Sequence, residues 1–204
     1  MAPVILAVAE LADGSLTRLS TEVATLARQL AEQSGGSALG LVVDAAPDAG
    51  AAELAAFVPR VVAVASPAVS REVWAPHAAA EVRRLAAEGV THVIAGATAD
   101  GRDLAGTLVG LLDWGLLANA SGVTWSGSSP EVEATVLGAK AITRSVLTGD
   151  TGIVTVRPNA VEAVAAASAG SVESRSPEGA ATPAASVLER VAEAGAEASL
   201  EEAR

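Results

Sequence analysis

The stretch Thr91–Leu112, THVIAGATADGRDLAGTLVGLL, sets the tightest limit on how this chain can fold. His92-Val93-Ile94-Ala95 is a short apolar run of the kind found in a parallel strand covered on both faces. Gly96 ends it. In the polar loop that follows, Asp100 or Thr98 can cap the next helix, and Asp103 falls in its first turn, where a negative charge suits the dipole. Leu104, Leu108, Leu111 and Leu112 recur at helical spacing and predict one apolar face. Gly106 and Gly110 lie four apart and predict a helix that another element approaches closely. A strand's carboxyl end feeding a helix N-terminus is also where open α/β sheets bind ligands, often anions.

The same rhythm precedes this unit. Val4–Ala9 (VILAVA) reads as a central strand, and Glu10–Thr17 as a polar connection with a turn at Asp13-Gly14. Ser20 is the expected N-cap of a helix carrying Val23, Leu26, Ala27, Leu30 and Ala31, stopped by Ser34-Gly35-Gly36. Leu39–Val43 is a second strand, a short helix runs from Pro47-Asp48 through Phe57, and Val61–Ala65 is a third strand. Pro76 is expected at N1 of a helix with Ala78, Val82, Leu85 and Ala86 on one face, closed by Gly89. Strands alternating with helices predict an α/β fold with a mostly parallel sheet and helices on both faces.

After Asp113 the pattern changes. Gly115–Trp125 is a strand candidate, and Val132, Ala134 and Val136 alternate with Glu131, Glu133 and Thr135, the period of a strand with one wet face. Turns at Gly138-Ala139-Lys140 and Thr148-Gly149-Asp150 flank Ala141–Leu147, and Gly152–Val156 follows. We expect consecutive antiparallel hairpins at the carboxyl end of the α/β domain. From about Ala165 the composition collapses to Ala, Ser, Gly, Pro and Glu, and Ser171–Pro183 offers little to bury. The expected division is an α/β domain over 1–165 and a low-complexity linker over 166–204. Within that linker, Val187, Leu188, Val191 and Ala194 could form one short amphipathic helix.

Charge and composition narrow the chemistry. A net charge of −11 repels phosphate backbones and anionic lipid heads, so neither nucleic acid nor membrane insertion is expected. The absence of cysteine removes disulfides and thiolate chemistry. No basic leader precedes the first strand and no apolar run reaches membrane-span length, so a cytoplasmic location is expected. With an aromatic share of 2%, the core must be built from Ala, Val and Leu. His77 and His92 are the two histidines, and nothing in the spacing brings them together, so no metal site or nucleophilic triad is expected. GxGxxG and GxxxxGK[ST] are both absent. Ala97–Asp103 alone has the grammar of a ligand loop, with Thr98, Gly101 and Arg102 as candidates for a residual anion site. Asp100 and Asp103 oppose an anion there, so AMP or ATP is expected to bind weakly or not at all. Lys140 is the chain's single lysine and sits at a turn; Trp74, Trp114 and Trp125 lie in or beside connections.

The succession VILAVAE, GATADGRDLAGTLVGLLDWGLLANASGV, LGAKAITRSV and GIVTVRPNAV resembles the amino-terminal domain of the electron-transfer flavoprotein alpha subunit. Gly101-Arg102-Asp103, Gly115-Leu116, Leu137-Gly138-Ala139 and Thr155-Val156-Arg157-Pro158 stand where that family carries its small-residue loop, strand start, hairpin and closing strand. Ala118-Asn119 replaces an expected aspartate and Leu137 an expected aromatic. The resemblance runs from Val4 to about Val161, with a tail similar to the family's interdomain connection. It implies an adenine-nucleotide-hydrolase-like α/β fold and a scaffold role without catalytic residues. It also implies a beta subunit as heterodimer partner, acyl-CoA or related dehydrogenases as donors and a quinone reductase as acceptor. FAD would sit in a second domain that this sequence does not include, and the family's structural AMP in the beta subunit. A stand-alone adenine-nucleotide-binding module is the alternative.

Overall fold

The computed structural model describes residues 2–178 and 185–189. Its elements in chain order are β1 (Val4–Ala9), β2 (Leu11–Ala12), β3 (Ser15–Leu16), α1 (Arg18–Ser34), β4 (Ser37–Asp44), α2 (Asp48–Leu54) and β5 (Arg60–Ala65). After a 3₁₀ turn at Pro67–Ser70 come α3 (Trp74–Ala87), β6 (His92–Gly96), α4 (Ala99–Leu112), β7 (Gly115–Ala120) and β8 (Gly122–Ser126). The last are β9 (Ser129–Val136), β10 (Ala141–Val146), β11 (Gly152–Val156) and β12 (Ser171–Arg175). The apolar runs read from the sequence are the inner strands: β6 and β11 are buried throughout, as strands covered on both faces must be.

Seven strands form one parallel sheet in the order β12-β5-β4-β1-β6-β11-β7. On one face α1 and α2 pack through Val23, Leu26, Leu30 and Leu54; on the other α3 and α4 pack through Val82, Leu85, Leu104 and Leu108. The small antiparallel sheet β10-β9-β8 joins the α1 side through Val123 and Val132. The α/β class with helices on both faces is as expected. The hairpin series is shorter than expected: it ends with β10. Gly152–Val156 instead returns to the parallel sheet between β6 and β7, because its continuous Ile-Val-Thr-Val run suits a position buried on both sides.

Local signals were shifted by a residue or a turn. Thr17, not Ser20, caps α1, receiving the Ser20 N–H at 3.2 Å. Pro76 stands two residues inside α3, whose N-cap is Val73; its missing N–H still falls among the donors that a first turn leaves unpaired. On α4, Leu104 and Leu108 are buried but Leu111 is 47% exposed. A Cβ at Gly106 or Gly110 would meet nothing within 4 Å, so no element of the described chain uses that face.

The largest correction concerns the expected linker. After β11 the chain crosses the α1–α2 side and reaches the opposite edge of the sheet, where Ser171–Arg175 pairs with β5 as β12. Buried polar groups on the helices hold it. Asn159 N–H donates to Glu22 Oε2 at 2.8 Å, and Val164 N–H to Thr25 Oγ1 at 3.1 Å. Arg28 donates to the Val164 carbonyl at 2.8 Å, Ala166 N–H to Ala56 O, and Gly170 N–H to Ala55 O. Burial raises the Glu22 carboxyl pKa, partly offset by the Asn159 N–H and Arg18. Beyond β12, Glu178 N–H donates to the buried Glu81 at 2.6 Å. The segment carries few apolar residues because its order comes from backbone hydrogen bonds to fixed partners. Residues 185–189 contain no helix; Ser186 bridges to Glu72 instead. Val191 and Ala194, the rest of the expected amphipathic helix, lie outside the described residues.

Replacing Thr25 by Val removes the acceptor of the Val164 N–H, a part-buried hydrogen bond whose loss costs about 0.5–1.5 kcal/mol. Urea denaturation of Thr25→Val is expected to show that loss; an unchanged midpoint would mean the crossing segment adds nothing to stability.

Candidate functional site

In a doubly wound sheet the ligand crevice opens where successive connections diverge, at the carboxyl ends of the strands. Here β1 leads through α1 to β4 on one side, while β5 leads through α3 to β6 on the other, so the divergence lies between β1 and β6. Glu10 follows β1 and Ala97-Thr98 follows β6, which places the candidate loop at that point. The loop is satisfied from within. Thr98 caps α4 by accepting the Gly101 N–H at 2.9 Å, while its hydroxyl donates to Glu10 Oε1 at 2.7 Å. Ala97 N–H donates to Val156 O at 2.8 Å, and Arg102 Nε folds back on the Thr98 carbonyl at 3.0 Å. Of the candidates, Thr98 joins Gly101 to an internal carboxylate, while Arg102 is exposed and touches the Thr98 carbonyl instead.

Glu10 is the residue that sequence reading passed over as part of a polar turn. Its main chain is fixed twice by Ser20, whose Oγ accepts the Glu10 N–H at 2.8 Å and donates to the Glu10 carbonyl at 3.1 Å. Gly96 leaves the room its carboxylate needs: a Cβ there would lie 3.3 Å from Glu10 Oε1 and 2.7 Å from Leu19. The hollow beside Glu10 is about 80 Å³, lined by Glu10, Leu11, Asp44, Val69, Trp74 and Asp100, and a second of about 270 Å³ shares Leu11, Asp44 and Val69 with it. Three carboxylates around so small a space oppose a phosphate. An acid directly after the central strand was the available signal.

The histidines occupy separate settings. His77 Nε2 pairs with Glu72 at 2.7 Å beside the first turn of α3. His92 is 2% exposed at the amino end of β6, under Trp125, whose ring lies edge-on with centroids 5.2 Å apart. With the Thr91 hydroxyl donating to the Val4 carbonyl at 3.2 Å, the proton shared with Thr91 at 3.0 Å is assigned to His92 Nδ1. His92 Nε2 is then a buried acceptor with no partner. Burial lowers its pKa to about 4, against an opposing pull from Asp150. Among the described residues no cluster of three or more His, Asp or Glu side chains could hold a metal ion, and no helix is long and apolar enough to cross a membrane. The tryptophans pack at element edges, with Trp74 Nε1 donating to Val43 O at 2.8 Å.

Comparison with known proteins decides the family. The electron transfer flavoprotein domain model matches residues 5–192. The chain belongs to the electron transfer flavoprotein family. Two curated relatives, each named electron transfer flavoprotein subunit alpha, come from Mycobacterium tuberculosis strains CDC 1551 / Oshkosh and ATCC 25618 / H37Rv. Each is 31% identical over 172 residues, covering 81% of this chain and 51% of the relative. The chain therefore spans about half the length of the curated relatives it matches, and it corresponds to the alpha subunit's amino-terminal domain. Proteins of this flavoprotein family are electron carriers rather than enzymes.

Two outcomes are expected of this site. Gly101→Ala would drive a Cβ into the Gly96 carbonyl oxygen, and overpacking of this kind costs about 1–3 kcal/mol, read as a fall in thermal midpoint. For His92, the folded state takes up its proton near pH 4 and the unfolded state near 6.5. Stability contributed by neutral His92 is complete above pH 6.5 and is lost as pH falls toward 4. Urea midpoints measured across that window should fall less steeply for His92→Leu than for the wild type; equal slopes would show that His92 does not titrate as a buried neutral group.

Proposed function

We propose that the chain is the amino-terminal scaffold of an electron transfer flavoprotein alpha subunit. It pairs with a beta subunit and takes part, within that heterodimer, in electron transfer from acyl-CoA or related dehydrogenases toward a quinone reductase in the cytoplasm. The observation that carries this reading is the Glu10–Thr98 contact: the position where a doubly wound sheet would take a nucleotide is filled by the chain's own carboxylate. The family's cofactor is FAD, and the residues at the divergence point do not fit it. Its pyrophosphate would meet Glu10, Asp44 and Asp100, with Arg102 already folded onto the Thr98 carbonyl. We assign the flavin to the part of the family protein outside the matched half. The domain then runs through β12, the segment after it leads toward the flavin-bearing part, and no residue of this chain is catalytic.

The alternative of an independent adenine-nucleotide module needs an open anion site, which the same contact opposes. Isothermal titration at low salt with AMP and ATP, and absorption spectra after incubation with FAD, are expected to show no stoichiometric binding. A micromolar dissociation constant for either nucleotide would overturn the scaffold reading in favour of the nucleotide module. A bound-flavin spectrum would overturn the assignment of FAD to the remaining part.

A further inference from the structure

Two buried side-chain polar atoms lack a hydrogen-bond partner among the described residues: His92 Nε2, which lies under Trp125 of β8, and Ser129 Oγ, at the start of β9. Nearly all buried polar atoms of native folds are paired, so an orphaned one marks a place where a partner is to be supplied. His92 is the one buried residue lining a hollow of about 370 Å³ at the amino end of the parallel sheet, the end opposite the Glu10–Thr98 contact. A space of this size suits a small ring compound. Half-buried Pro3 and Ser34 wall it, and Ser128 and Asp150 stand exposed at its rim.

The lining sets the chemistry of a guest. With the shared proton on Nδ1, Nε2 is an acceptor, so the guest must give it an N–H or O–H. Burial lowers the imidazole pKa to about 4, and at neutral pH it stays an acceptor. Among the described residues of the lining the only charged side chain is Asp150, on a chain of net charge −11, which favours a cation and opposes an anion. Trp125 offers a ring to such a cation. Its indole is only partly buried, and its own hydrogen bond, from Nε1 to Gly127 O at 3.0 Å, stays within the β8–β9 turn.

We propose that this hollow binds a small flat organic cation with N–H donors, an aromatic amidinium in class. One N–H goes to His92 Nε2 and the charge lies toward Asp150. Nε2 has no surface open to water, so the guest takes the place of the Trp125 ring edge over it. The site is separate from the divergence point and does not depend on the scaffold reading.

The test titrates the ¹⁵N-labelled chain with benzamidine and follows His92 by two-bond ¹H–¹⁵N correlation, with benzoate as the anion of matching shape. A saturable upfield shift of the Nε2 resonance is expected, with a dissociation constant of about 1 mM or tighter, and none with benzoate. In isothermal titration, Asp150→Asn, at the exposed rim, should weaken binding at least about tenfold while leaving the thermal midpoint unchanged. His92→Leu should abolish it, and His92→Gln, which keeps an acceptor, should restore part of it. No saturable Nε2 shift up to about 10 mM benzamidine would overturn the inference. Equal affinity for benzoate, or binding that both Asp150→Asn and His92→Leu leave unchanged, would do the same. An Nε2 resonance already at its hydrogen-bonded position in the free chain, and unmoved by benzamidine, would overturn it too, since water alone then serves the atom.

Discussion

The Thr98 hydroxyl bound to the Glu10 carboxylate ties together the parts of this fold that the sheet alone leaves separate. Glu10 closes β1, Thr98 opens α4, and Ser20 of α1 holds the Glu10 main chain, so two central strands and two helices from opposite faces converge on one contact. A hydrogen bond to an ionised acceptor is worth roughly twice a neutral one, and each partner here also completes a second requirement. Thr98 satisfies an otherwise unpaired helix N–H, and Gly96 and Gly101 supply the clearance without which neither side chain would fit.

Around this point the packing is thin. The core is built from Ala, Val and Leu, and small residues let layers approach: a Cβ on Gly40 of β4 would lie 2.7 Å from Leu54 of α2. The tryptophans are kept at the margins, where the indole N–H reaches a carbonyl, as Trp74 does with Val43 and Trp125 with Gly127. Close layers leave little room between helix and sheet at these positions.

The inner strands and long helices were legible because burial on both faces writes itself as uninterrupted Val, Ile, Leu and Ala, as in VILAVA. Neighbour relations were not. Gly152–Val156 is compatible by period with a hairpin strand, and only the space between β6 and β7 makes it central. Ser171–Arg175 has the composition of a linker because an edge strand stabilised by Arg60, Glu88 and a β5 backbone ladder contains the same Ser, Glu and Arg that a solvated linker does. At the candidate site the loop was found and its occupant missed: Glu10 lies 88 residues before Thr98, and no local pattern connects them.

That separation bears on how stability and binding are related here. A doubly wound sheet presents a positive helix end at its divergence point, where a negative group from a ligand or from the chain is stabilising. Glu10 supplies the neutralising carboxylate in the folded state itself, so α4 is complete without any bound anion, and Asp100 and Asp44 deepen the negative field at the entrance. The feature that stabilises the end of α4 is therefore the same one that closes the crevice to phosphates. A domain built this way keeps the architecture of a doubly wound fold while the chain's own carboxylates fill its divergence point.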